Sequence, residues 1–284
     1  MQRELDIDTL IAATLAEDIG QADYTTLWTV PESATGQADV IARQDGVVAG
    51  VQVARRVFRA FDSSLVARAR RTAGQSVAPD EPILSVEGSL RSILTAERVA
   101  LNFLSHLSGV ATLTAQFVQA VAGTDCRITD TRKTTPALRA LEKEAVDAAG
   151  GLNHRDRLDA MVLIKENHIH AAGGVRKAID AARERATAHG LIVEVEVTDR
   201  TELEEALERG PDRIMLDNMS VAELREAVGI VRSLPRPHPI LEASGGVSLE
   251  TVREIADTGI DEISVGRLTH SAPAFDLSLL IVEP

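Results

Sequence analysis

Aromatic side chains are scarce, 2% of 284 residues with one Trp and one Tyr, so base-stacking platforms and aromatic cages are poor readings of this chain. The single cysteine, Cys126, can form no internal disulfide and lacks the paired spacing of a zinc or redox motif; it reads as small apolar filler at a strand edge. No run approaches the roughly 18 to 20 apolar residues of a membrane span. The first eighteen residues are acidic and carry no apolar signal-peptide core, so a cytoplasmic protein is expected. Positive charge is in deficit: 30 Lys and Arg against 43 Asp and Glu give a net charge of −13, which argues against a nucleic-acid surface. A cleft for a small anion is still compatible with that total, because local charge governs such a site.

What is present falls into two styles of sequence that meet near residue 110. Before it, an acidic helix (Asp8 to Asp18) leads into β-like runs, Ala38 to Arg43 and Gly46 to Val51. Leu65 to Val86, punctuated by Gly74, Pro79 and Pro82, reads as more strand and turn. A long helix follows, roughly Ser92 to Ala122, with Leu94, Val99, Leu101, Leu104 and Leu107 at helical spacing. From Cys126 the rhythm becomes strand, loop, helix. Strands are expected at Arg127–Asp130, Ala160–Ile164, Ile192–Val197, Arg213–Leu216, Ile240–Ala243 and Glu262–Val265. Helices are expected at Val175–Ala188, Thr201–Arg209, Val221–Ser233 and Leu249–Asp257. Such alternation implies a parallel sheet with helices outside, here closer to a barrel of about six strands than to an open sheet. The expected organisation is an α/β fold in two domains, 1–110 and 111–267, with the tail 268–284 packing back on the first.

In a barrel, chemistry sits at the C-terminal ends of the strands, and polar residues concentrate there. Thr131, Arg132 and Lys133 follow the first strand, with Asn153, His154 and Arg155 further on, and Lys165 follows the second. Several cations around one mouth in an acidic protein suit a ligand with several negative groups, Arg as a planar fork and Lys as a mobile point charge. The alternative is solvated loop cations paired with Glu142, Glu144 and Asp156. In the third strand, Val193, Val195 and Val197 alternate with Glu194 and Glu196, so the glutamates should face the interior. Glu196 and Asp217, at adjacent strand ends, are either hard ligands for Mg²⁺ beside substrate phosphates or salt-bridge partners of Lys165 or Lys133. The glycine turn Ser244-Gly245-Gly246, with Val265-Gly266-Arg267, fits a phosphate site of backbone N–H groups at a helix start. Arg267 either touches that phosphate or reaches solvent.

These motifs resemble the quinolinate phosphoribosyltransferases. The matching runs are Thr95 to Arg98, Asn102 to Gly109, Asp130 to Pro136, Asn153 to Arg155, Leu163 to His168, Leu216 to Asn218 and Ala243 to Gly246, and the resemblance extends from Glu17-Asp18 to Leu279, nearly the whole chain. The resemblance implies an N-terminal open α/β sandwich, a C-terminal incomplete α/β barrel, and a homodimer in which one subunit's N-terminal domain covers the other's barrel. It implies that Arg132, His154, Arg155 and Lys165 hold the two quinolinate carboxylates, with Arg98 reaching in from the partner subunit. Lys133 would contact the ligand's ribose-side phosphates; Glu196 and Asp217 would hold the ribose hydroxyls and magnesium pyrophosphate. Ser244, Gly245 and Gly266 would hold the 5′-phosphate. Departures from the family pattern are Ala22 and Ala137, where glycine is usual, and Arg267, where a small residue is usual.

The implied reaction transfers phosphoribosyl to quinolinate with decarboxylation, giving nicotinate mononucleotide, pyrophosphate and CO₂. Three rivals stand beside it: a relative of the type found beside molybdate transport systems with another substrate, a Schiff-base lyase using Lys165 as nucleophile, and a phosphate-ligand sensor.

Overall fold

The carboxylate of Asp6 accepts the Asp8 backbone N–H and so caps the first helix, α1 (Ile7–Ile19). A computed structural model describes residues 6–282. Asp23 caps α2 (Tyr24–Thr29) in the same way, accepting Thr26 N–H at 3.0 Å. The chain continues through β1 (Thr35–Ala42), β2 (Gly46–Val47), α3 (Val51–Phe61), β3 (Val66–Ala69), β4 (Ser76–Val77), β5 (Pro82–Ser89) and the 31-residue α4 (Leu90–Ala120).

Contacts divide the chain into two units. Among the described residues one comprises 6–115, 135–150 and 271–282, and the other comprises 116–134 and 151–270. In the first, an antiparallel sheet runs in the order Leu277–Val282, β1, β5, β3, and β2 pairs with β4. The unit also holds α5 (Arg139–Ala148). The run expected to be a strand over Gly46 to Val51 is one only at Gly46–Val47, and Val51 opens α3. Val51, Ala54, Val57 and Phe58 are buried there on one helical face, so the 3.6-residue period prevails over the β-propensity of the valines.

The second unit holds six parallel strands: β6 (Arg127–Thr129), β7 (Val162–Ile164), β8 (Val193–Val197), β9 (Arg213–Asp217), β10 (Ile240–Ser244) and β11 (Glu262–Ser264). Their order is β6-β11-β10-β9-β8-β7, and β6 and β7 are not paired with each other, which leaves an incomplete α/β barrel. Between strands run α6 (Glu166–Ala172), α7 (Val175–His189), α8 (Arg200–Leu207), α9 (Val221–Ser233), α10 (Val252–Ala256) and α11 (Arg267–His270). Val193, Val195 and Val197 are buried on one face of β8. Among the described residues no helix is long and apolar enough to cross a membrane.

Candidate active site

Strand register sets the site. Ile164 of β7 lies opposite Val195 of β8, so Lys165 comes level with Glu196, and the two form an ion pair at 2.5 Å. On the next strand Glu196 faces Met215, and Asp217 of β9 lies level with Ser244 of β10. Lys165, Glu196, Asp217 and Ser244 therefore follow one another along the C-terminal rim of the sheet. Asp217 feels its neighbours: burial and then the negative charge of Glu196 raise its pKa, against the Asn218 hydrogen bond and the charges of Lys165 and Lys133.

Lys133 is held by its backbone. Its N–H donates to Thr131 Oγ1 at 3.1 Å, and its carbonyl accepts from Thr269 Oγ1 at 2.7 Å. A Cβ on Gly266 would lie 3.2 Å from Lys133 Cδ, so the lysine stem runs along the turn after β11. Beyond β10 the turn is tighter. Gly245 adopts φ +98°, and a Cβ there would stand 2.1 Å from Asn218 Oδ1. Asn218 in turn donates its backbone N–H to the Ser244 carbonyl at 2.8 Å and its side-chain amide to Asp217 at 2.7 Å. Glycine at 245 thus lets the turn and the carboxylate loop touch. Arg267 opens α11 with an exposed side chain, and its charge acts on Glu250.

The remaining cations come from the loops after β6 and before β7. The Arg155 guanidinium donates to the Met161 carbonyl at 2.9 Å; burial and the like charge of Arg132 lower its pKa. Two guanidiniums close enough to disfavour each other form a site prepared for an anion. His154 is fixed by its backbone N–H, which donates to the buried Asp130 at 2.8 Å. Its ring stands 3.0 Å from Glu194 and 3.4 Å from Glu242. Burial opposes a charge on this ring, yet the hydrogen bonds to the two glutamates outweigh it and push the pKa up to about 9.

Arg98 lies on α4 in the first unit, 61% exposed and 3.8 Å from Glu97. Glu142 accepts from His106 at 2.7 Å and from Thr135 N–H at 3.1 Å. Sequence reading missed Thr269 and the charges one layer below the rim: Arg213, Glu242 and Glu262. A signal for that layer existed. Stepping back two residues at a time from Glu196, Asp217 and Ser244 reaches Glu194, Arg213 and Glu242, the same side of each strand. His154, Glu194 and Glu242 have metal-ligand types within reach of one another, but Arg213 already bonds both glutamates, at 3.4 and 2.8 Å.

Comparison with known proteins adds a second line. The quinolinate phosphoribosyl transferase C-terminal domain matches residues 110–280 and the corresponding N-terminal domain matches residues 23–108. The chain is 42% identical over 277 residues to the probable nicotinate-nucleotide pyrophosphorylase [carboxylating] of Synechocystis, covering 98% of this chain and 93% of that one. It is also 42% identical to the Mycobacterium leprae nicotinate-nucleotide pyrophosphorylase [carboxylating], covering 95% of each. The solved nicotinate-nucleotide pyrophosphorylase of Francisella tularensis superposes with a TM-score of 0.92 at 37% identity, over 99% of this chain and 98% of that one.

Proposed function

Because the chain belongs to the quinolinate phosphoribosyl transferase family, matching both of its domains, we propose that it joins quinolinate to phosphoribosyl pyrophosphate and releases pyrophosphate and CO₂, forming nicotinate mononucleotide for NAD biosynthesis. The observation that carries this reading is the strand register, which sets Lys165 level with Glu196 and Asp217 level with Ser244. A carboxylate-binding lysine, a pair of acidic residues and a phosphate-type glycine turn thereby share one rim.

Arg132, His154, Arg155 and Lys165 would hold the two carboxylates of the pyridine, and Ser244, Gly245, Gly246 and Gly266 the 5′-phosphate. With both substrates held, the pyridine nitrogen attacks the anomeric carbon as pyrophosphate departs. Glu196 and Asp217 then face the positive charge that develops on the ribose, a preorganised electrostatic contribution. The C2 carboxylate leaves as CO₂; its bond electrons stay on C2 beside the quaternary nitrogen and take up a proton. Holding two polyanions together is worth up to about 7 to 11 kcal/mol. Glu196 and Asp217 also fit a hard divalent cation, since Glu196 helps raise the pKa of Asp217 and added positive charge relieves that repulsion. Bound there, Mg²⁺ would neutralise the leaving pyrophosphate. The active unit is proposed to be a homodimer in which Arg98 of one subunit completes the site of the other.

Lys165 is ion-paired with Glu196, which occupies the nitrogen that a Schiff-base nucleophile would need to present, and this counts against the lyase reading. The test mixes the protein with phosphoribosyl pyrophosphate, Mg²⁺ and quinolinate labelled in the C2 carboxylate. Pyrophosphate and labelled CO₂ are expected in equal amounts. Nicotinate leaves half-buried cations unpaired at a cost of about 2 kcal/mol, so its turnover should be lower by roughly 30-fold. Comparable use of the two acids, or no pyrophosphate, would overturn the reading.

A further inference from the structure

We infer that Glu194 and Glu242 are positioning residues: with Arg213 and Glu262 they form an ionised floor beneath the site that orients the His154 ring and holds it as a cation, an inference that rests on the substrate reading above.

The floor is built from four strands. Arg213 of β9 bonds Glu194 of β8 at 3.4 Å, Glu242 of β10 at 2.8 Å and Glu262 of β11 at 2.5 Å. Arg127 of β6 reaches the other oxygen of Glu262 at 2.6 Å. Glu194 and Glu242 are fully buried, and Glu262 is 4% exposed. Charges that deep are tolerated only when they balance. Within the bonded set three carboxylates meet two guanidiniums, an excess of one negative charge that a His154 imidazolium helps to offset, with Arg155, which feels Glu194, as the further cation nearby.

The geometry of the ring gives the same answer. Its Nε2 stands 3.0 Å from a Glu194 oxygen and 3.4 Å from a Glu242 oxygen, and a bare lone pair there would repel both. Nε2 therefore carries hydrogen, and the Nδ1 edge is turned away from these two carboxylates. In a neutral ring Nδ1 would then be an acceptor, hostile to a substrate carboxylate. Only the imidazolium makes both nitrogens donors. The other charged groups near the ring are Asp130, which takes its backbone N–H, and on the same loop Arg155 with Arg132 beside it. Burial opposes a charge on His154 and the two glutamates outweigh it, so the floor supplies what sustains the charge. The raised pKa of the ring and the lowered one of Glu242, where burial is outweighed by His154, Ser264 and Arg213, agree with that sense.

The experiment titrates the full-length protein labelled with ¹⁵N-histidine, His154 being assigned by its loss in His154→Asn. Both ring nitrogens should be protonated in the wild type at about pH 8. Glu242→Gln keeps the shape and removes the charge that touches the ring; it should lower the His154 titration by at least about one unit, whereas Glu262→Gln, which removes an equal charge without touching the ring, should lower it less. Quinolinate affinity of Glu242→Gln, by calorimetry, should then weaken about tenfold between pH 6 and pH 8 beyond any change in the wild type. A neutral His154 in the wild type at pH 7.5, or equal shifts in the two variants, overturns the proposal. Should Glu242→Gln not fold, the wild-type titration decides by itself. If the ring titrates as expected but the wild type binds no quinolinate at any pH, the substrate reading fails and the floor stands.

Discussion

Lys165 Nζ and Glu196 Oε2 lie 2.5 Å apart, so a cation of the carboxylate-binding set and an acid of the ribose side are bonded to each other before any substrate arrives. The pair must loosen for the lysine to grip a carboxylate. Charge-assisted bonds of this kind compete directly for the same ammonium hydrogens. Glu196→Gln should therefore bind quinolinate at least as tightly as the wild type while turnover falls by about 100-fold or more. Calorimetry with quinolinate alone separates the two effects. A collapse of binding would mean that Glu196 orients Lys165 for the substrate instead of restraining it.

Asp217 is a site residue held against its own stability. Burial and the charge of Glu196 raise its folded pKa above the ordinary 3.8, so the folded protein takes up this proton more readily than the unfolded chain. The stabilising contribution of such a group is complete at low pH and is lost as pH rises through the folded pKa. At neutral pH, Asp217→Asn should thus melt at a higher temperature than the wild type, and the difference should shrink as the pH is lowered toward 4. Mg²⁺ should raise the melting temperature of the wild type and leave that of the variant unchanged. Equal melting of the two proteins across this range would remove the repulsion argument, and with it the main support for a cation between Glu196 and Asp217.

Ala137 has a φ of +68°, in the left-handed region that costs an L-residue about 1–2 kcal/mol. Ala137→Gly relieves the strain but adds chain entropy to the unfolded state, for a net gain of about 1 kcal/mol or less, or about 2 °C in melting temperature. Thermal unfolding followed by circular dichroism checks it. A lower melting temperature would show that the Cβ contributes packing that outweighs the strain.

The rim of the barrel was legible in the sequence because each strand end announces itself locally. Ile164-Lys165, Leu216-Asp217 and Ala243-Ser244-Gly245 each pass from apolar strand to polar loop within two or three residues. The alternation of Val193 to Val197 also gave the inward face of β8, with Glu194 on Arg213 and His154 and Glu196 on Lys165. The charged floor was legible only strand by strand: alternation puts Glu194, Arg213 and Glu242 on the inward side, but not in contact with one another. Arg213, Glu242 and Glu262 are separated in sequence by whole βα units, and only the parallel register brings them together. The helix α3 was hidden for another reason: Val51 and Val53 lie two apart and mimic a strand, while the face that packs repeats through Ala54, Val57 and Phe58. Helices α2, α5 and α6 went unread, two of them only 6 and 7 residues long, too short for a periodic signal to accumulate.

Arg98 offers the sharpest test of the proposed dimer. Its side chain is 61% exposed with Glu97 3.8 Å away, so a helix-surface charge and a group reaching into a neighbour's site predict different outcomes. If Arg98 serves the neighbour, Arg98→Ala and Lys133→Ala each damage every site of their own homodimer and should each abolish activity. A two-fold dimer formed from one subunit of each kind has one intact site and one doubly damaged site. Equal amounts allowed to exchange at random make half of the dimers mixed, so roughly a quarter of the sites should recover. Subunits carrying different tags establish that exchange has taken place. Recovery to about that level requires Arg98 to act across the interface. If tagged heterodimers form and no activity returns, each site draws on a single subunit, and the shared-site model fails for this protein.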